Sequence, residues 1–228
     1  MTLPLLISVP HAGLRVPPEV EKLCLLTPEQ IVADGDEGAA TIYALKSEVA
    51  ACLTADVARA VVDLNRAEND RRPDGVVKTH TCQKVPVYNR PLTEDLVETL
   101  LARYYRLYHT RLTELAQEAR LGIDCHTMAE FGPPIGPDPG CERPHVCLSH
   151  AEGTCPHQWL AQLIACFERF FGERISVNTP FTGGHIIRSH ASELPWVQIE
   201  LSRGAFLSDA QKHKRVVRAL KAFCDSVF

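Results

Sequence analysis

At 228 residues, with 45% hydrophobic and 23% charged residues, the chain holds enough apolar material for a full core and reads as one domain over residues 1–228. Its formal charge of -4 excludes the basic field of a nucleic-acid or anionic-membrane binder, and no apolar stretch approaches membrane-spanning length. The expected partner is a small soluble molecule. Nine cysteines are scattered without a CxxC pair, which points to reduced thiols and a cytoplasmic protein.

The first apolar run, Leu5–Val9, has no basic flank before it and no small-residue cleavage site after it, so it reads as a strand ending near His11 rather than as a signal peptide. An acidic segment, VADGDEGA, leads into a helical stripe over Glu37–Ala51 carried by Ala39, Ile42, Tyr43 and Val49. Ala60–Leu64 reads as a second strand and delivers Asn65 and Arg66 at its end.

Thr93 predicts an N-cap, with Glu94 and Asp95 in the first turn. The helix it opens has an apolar side of Leu96, Leu100, Tyr104, Leu107 and Leu115, and Gly122 stops it. The next strand, Ile123–His126, ends on a histidine. Phe131–Pro144 is too rich in proline and glycine for regular structure and reads as a loop forming one wall of a site.

Strands over His145–Ser149, Ile175–Asn178 and Val197–Leu201 and helices over Gln158–Phe171 and Asp209–Phe223 complete the pattern. Alternating strands and helices predict an α/β three-layer sandwich, a mostly parallel sheet flanked by helices. Ligands of such sheets gather beyond the carboxyl ends of the strands. His11, Asn65, His126 and Glu200 all fall there.

His11, His126 and one acidic residue of Asp34, Asp36 and Glu37 offer the mixed ligand set of a catalytic zinc site, with a fourth position left for water. Asp36 is favoured because it directly precedes a helix, where a loop side chain can point inward and also cap. Taken singly, each histidine reads more readily as a satisfied polar residue, and it is the three positions together that favour a metal site.

Glu200 interrupts an apolar strand, and its roles are a general base or one half of an ion pair with Arg203. The planar fork of Arg66 suits a substrate carboxylate, or a bridge to Asp63, Glu68 or Asp70. Gly183–Gly184 marks a turn, and Arg188 beyond it is a candidate for a second carboxylate. Cys141, His145, Cys147, His150, Cys155 and His157 crowd one stretch, but at spacings that match no zinc finger. The chain has no GxSxG elbow, phosphate loop or GxGxxG turn, which leaves hydrolysis by activated water ahead of serine hydrolase, kinase or dehydrogenase chemistry.

The ordered set SVPHAG, DGDEGAATIY, VVDLNRAEND, IDCHTMAE, NTPFTGGHIIR and VQIELSR resembles the N-formylglutamate amidohydrolase family over nearly the whole chain. That family is similar in fold to zinc carboxypeptidases and to deacylases of acylated aspartate and succinylated glutamate. The resemblance implies a central mixed eight-stranded sheet between helices. It also implies His11, Asp36 and His126 as ligands of one zinc ion, Glu200 as the catalytic carboxylate, and Asn65 with Arg66 as receivers of the substrate carboxylate. Two positions depart from the family pattern: Glu37 follows Asp36 where an aromatic residue is common, and His185 stands where tyrosine is frequent. The implied activity is cleavage of an N-acyl, most simply N-formyl, acidic amino acid. The rival readings are a zinc carboxypeptidase acting on small peptides and a carboxylate-binding protein of the same fold without catalysis.

Overall fold

The computed structural model describes residues 2–134 and 138–228. In chain order the elements are β1 (Leu3–Val9), α1 (Pro28–Asp34), α2 (Ala39–Ile42) and β2 (Val49–Thr54). Next comes α3 (Glu94–Leu100), which continues through a π-helical segment (Leu101–Arg106) into α4 (Leu107–Ala116). The remainder is β3 (Leu121–Met128), β4 (Val146–Ser149), α5 (His157–Phe171), β5 (Ile175–Val177), α6 (His185–Ser189), β6 (Trp196–Ser202) and α7 (Asp209–Val227).

The strands form one sheet in the order β2-β1-β3-β6-β4-β5, in which only the β4–β6 pair is antiparallel. This is the mixed, mostly parallel sheet flanked by helices that the alternating pattern predicts. The described residues give six strands, against the eight that the family resemblance implies.

The two faces of the sheet differ in chemistry. On one, Leu5, Ile7, Ile123, Val197 and Ile199 pack against Leu160, Leu163 and Phe167 of α5 and Val216, Leu220 and Phe223 of α7. That face is apolar along its length. On the other, Leu6 and Trp196 pack under α3, α4 and α6, with Leu100, Tyr105, Leu112, Ile186 and Ile187 as partners. Toward the carboxyl ends of the strands the same face turns polar, because Ser8 pairs with Asp124, Asp124 with Gln198, and His126 with Glu200 across β1, β3 and β6. Side chains alternate along a strand, so residues two apart share a face. Sheet register therefore sets Asp124, His126, Gln198 and Glu200 side by side. Gly122 makes room for the large ring beneath them, since a Cβ there would come 2.3 Å from Trp196.

Three expectations change. The predicted Glu37–Ala51 helix is cut to the four residues of α2, and Val49–Thr54 becomes an edge strand paired in parallel with β1. Pairing with a distant strand outweighs a local helical stripe. Ala60–Leu64 is buried but is not a strand. It folds as turns, with Val61 N donating to Ala58 O and only Val62 bridged to Val77. In the long helix, the π-helical segment rotates the apolar side, so Tyr105 and Tyr108 face the core while Leu107 is 58% exposed. The Thr93 cap forms as predicted, its hydroxyl accepting from Leu96 N.

Candidate metal centre

The loop after β1 carries His11, the loop after α1 carries Asp36, and β3 carries His126. Asp36 is fixed at both ends of its peptide, since its N–H donates to His11 O (3.1 Å) and its carbonyl accepts from Ala39 N (3.0 Å). Its side chain does not cap α2, whose N-cap is Gly38. It turns instead to the histidines, with Oδ2 lying 2.9 Å from His126 Nδ1 and 3.5 Å from His11 Nδ1. Of the other two acidic candidates, Asp34 is buried against Lys78 Nζ at 2.7 Å and Glu37 is exposed.

Each histidine is gripped from behind. His11 Nε2 lies 2.8 Å from Asp63 Oδ1, and His126 Nε2 lies 2.8 Å from Asp124 Oδ2. A carboxylate accepts a hydrogen bond from the ring nitrogen it faces, so Asp63 and Asp124 hold a hydrogen on Nε2 of each imidazole, and with an ion present each Nδ1 would turn a lone pair toward it. Two lone pairs and a carboxylate oxygen then converge within 4.8 Å of one another in a buried site. Such a group is held together by positive charge, a bound ion or, without one, a proton on His126 Nδ1 shared with Asp36. The Asp36 distances of 2.9 and 3.5 Å bracket the roughly 3.3 Å edge of a tetrahedron with ligands about 2.05 Å from its centre. The residues therefore fit a divalent ion, and they fit it with the histidine–carboxylate support that metal sites use.

Electrostatics point the same way. Burial alone would raise the carboxyls of Asp36 and Asp63. The histidines overcome it at Asp36, and His11 with Arg59 at Asp63, so both stay well below the usual carboxylate range. Burial alone would lower the His126 imidazole, but Asp124 and Asp36 pull it well above its ordinary value. The site is an attractor for positive charge.

Glu200 lies beside His126 in register on β6 and is buried. Burial lifts its carboxyl to about 7, against the opposing pull of His126. Its Oε1 accepts from Gln198 Nε2 (3.0 Å), and Gln198 Oε1 accepts from Gly184 N (2.6 Å), so the carboxylate is tied to the Gly183–Gly184 turn. No ion pair joins it to Arg203, whose guanidinium donates to Gly35 O. The turn itself needs glycine, because Gly183 has φ +109° and a Cβ on Gly184 would lie 2.2 Å from Asn65 Nδ2.

Asn65 donates through Nδ2 to Asp124 Oδ2 (3.1 Å) and accepts at Oδ1 from Ile186 N (2.8 Å). Arg66 lies within 3.7 Å of both Asp63 and Asp74. His11, Asp36, Asn65, Arg66, His126 and Glu200 border a cavity of about 820 Å³, which Pro133, Pro134 and Arg143 of the predicted loop also line, while Ile135–Pro137 lie outside the described residues. Arg188 is not among the lining residues. It sits on the exposed side of α6, turned away by the half-turn that buries Ile186 and Ile187. The cysteine and histidine stretch forms no ligand cluster among the described residues: Cys147 and Cys155 are core, Cys141 is exposed and His145 stacks on Phe206.

The sequence offered Asp63 only as a salt-bridge partner of Arg66 and gave no role to Asp124, Gln198 or Arg59. Arg59 donates to Asp63 (3.1 Å) and stands 3.7 Å from Asp36. The available signal was a carboxylate inside an apolar run, in VVDLN and in GIDCH.

Residues 3–207 match the family model described as N-formylglutamate amidohydrolase. The chain belongs to the N-formylglutamate amidohydrolase family. An N-formylglutamate deformylase of Pseudomonas aeruginosa is 28% identical, covering 90% of this chain and 83% of that protein. One of Pseudomonas putida is 26% identical over 92% and 84%. The crystal structure of an N-formylglutamate amidohydrolase from Ralstonia eutropha JMP134 superposes with a TM-score of 0.75 at 22% identity, covering 99% of this chain and 93% of that one. At that identity the superposition shows a shared fold.

Proposed function

We propose that this chain is a zinc-dependent amidohydrolase that removes the formyl group from N-formyl-L-glutamate or a close N-acyl acidic amino acid, acting as one catalytic domain in the cytoplasm. The observation that carries the reading is the convergence of His11 Nδ1, His126 Nδ1 and Asp36 Oδ2 beside the buried Glu200 carboxylate. Mixed histidine and carboxylate ligation favours zinc among the divalent ions. The names of the Pseudomonas relatives support the acyl group and the amino acid, and the scattered, unpaired cysteines support the compartment.

An ion held by His11, Asp36 and His126 supplies Lewis-acid polarisation of the scissile carbonyl and of the attacking water. The rest of the chemistry belongs to side chains. Glu200 takes a proton from the water as its oxygen bonds to the formyl carbon, then delivers it to the amide nitrogen as the C–N bond breaks, leaving formate and free glutamate. Gln198 keeps the carboxylate aimed by holding Oε1. Arg66 with Asn65 receives the α-carboxylate, which sets the amide over Glu200 and removes orientational freedom from the reacting pair.

The test is formate release from N-formyl-L-glutamate by zinc-loaded protein, run beside short peptides. Equimolar formate and glutamate with the peptides untouched is the expected result. Peptide cleavage alone makes the chain a carboxypeptidase, and binding without product makes it a carboxylate-binding protein.

A further inference from the structure

Four arginines line the cavity, Arg59, Arg66, Arg143 and Arg203, and three of them already face carboxylates of the fold. Arg59 is held by Asp63 and Asp36. Arg143 makes a two-pronged pair with Asp138, both bonds 2.7 Å, and lies over the Phe181 ring. Arg66 stands within 3.7 Å of Asp63 and Asp74. Arg203 is different. Its guanidinium makes one bond, from Nη1 to Gly35 O at 3.3 Å, and among the described residues no carboxylate oxygen lies within 4.0 Å of it.

The backbone that presents Arg203 is nonetheless fixed. Its N–H donates to Met128 O at 2.8 Å, and Gly204 N donates to Ser202 Oγ at 3.1 Å, so the residue is carried by the same strand pair that positions His126 and Glu200. A half-buried guanidinium has five N–H donors in a rigid fork. Donors that the fold leaves without a protein acceptor on the wall of a cavity are free to grip a ligand carboxylate through two parallel bonds. Arg66 is held by Asp63 and Asp74 and Arg203 by Gly35, so the two cations share no partner.

We propose that Arg203 binds a second carboxylate of the substrate, separate from the one received by Asn65 and Arg66, and so selects for a dianionic N-acyl amino acid. This rests on the amidohydrolase reading above. The second carboxylate has two possible sources, the side chain of the amino acid or the far end of a dicarboxylic acyl group.

Steady-state kinetics of the zinc-loaded wild type, Arg203→Met and Arg203→Lys test it. The substrates are N-formyl-L-glutamate against N-formyl-L-glutamine, and N-succinyl-L-glutamine against N-acetyl-L-glutamine. A charge-assisted pair predicts that the methionine variant lowers the wild-type preference for one acidic partner by roughly 10- to 100-fold, chiefly through KM. The lysine variant, which keeps the charge without the fork, recovers part of it. Loss confined to the glutamate/glutamine ratio assigns the side chain, and loss confined to the succinyl/acetyl ratio assigns the acyl end. Both ratios unchanged in a variant that melts like wild type overturns the proposal while leaving the amidohydrolase reading intact. A zinc-loaded wild type that hydrolyses none of the four overturns that reading and this proposal with it.

Discussion

His11 Nε2 stands 2.8 Å from Asp63 Oδ1, and this contact decides which nitrogen of the ring is left to face Asp36. The carboxylate fixes the hydrogen on Nε2, turns the Nδ1 lone pair toward the ligand cluster and raises the basicity of the ring as a donor. Asp124 does the same for His126. The pairing makes the two histidines a matched set, although one comes from a loop and the other from a strand.

Asp63→Asn keeps the shape and removes the charge behind His11. The expected result is a metal affinity about 10- to 100-fold weaker, read by competition with a chromogenic chelator. An affinity equal to wild type contradicts the supporting role of Asp63.

Glu200→Gln separates catalysis from metal binding. Glutamine can still accept from Gln198, but it cannot take a proton from water. Turnover is expected to fall by about 10²- to 10⁴-fold with metal content near that of wild type. A variant that keeps full activity removes Glu200 from the mechanism.

Gly122→Ala tests how the sheet makes room beneath the site. The added Cβ would come 2.3 Å from the Trp196 ring, and Trp196 is fully buried. Overpacking of this kind costs about 1–3 kcal/mol, so the melting temperature should drop by several degrees. An unchanged melting curve means the ring has space to move.

His109 predicts an acid-sensitive limb of stability. Its Nε2 faces Leu64 O at 3.0 Å and its Nδ1 faces His190 Nε2 at 2.8 Å, while His190 Nδ1 faces Glu193 at 2.8 Å and His185 lies edge-on to the His109 ring. Burial, with the His190 charge adding to it, lowers the pKa of His109 to about 4. The unfolded chain binds a proton there near pH 6.5 and the folded chain does not until about pH 4. The His109 contribution is therefore complete above pH 6.5 and is lost as pH falls toward 4, by at most about 3 kcal/mol. Chemical denaturation of wild type and His109→Gln across that window should show a shallower acid limb in the variant. Parallel limbs contradict the assignment.

Much of this was legible in the sequence where local and long-range forces agree. The strand that carries His126 alternates Leu121, Ile123 and Cys125 with Gly122, Asp124 and His126, which marks its core face locally, and the Thr93 cap depends only on its neighbours. Asp36 stood out because it precedes a helix, although that helix starts only at Ala39 and Gly38 rather than Asp36 is its N-cap. The failures come where distant partners decide. Val49–Thr54 follows a helical stripe, and only its pairing with β1 makes it a strand. Asp63 and Asp124 look like ordinary charges until the fold sets them behind two histidines from other segments. Arg188 is close in sequence to the Gly183–Gly184 turn, yet one short helix carries it to the outside.

In the proposed function His11, Asp36 and His126 hold one divalent ion. Elemental analysis of protein purified without an affinity tag, beside His126→Ala, tests it most directly. Near-stoichiometric zinc in the wild type that disappears in the variant is the predicted result. A well-folded wild type that contains no metal, and takes up none when zinc is supplied, would contradict it.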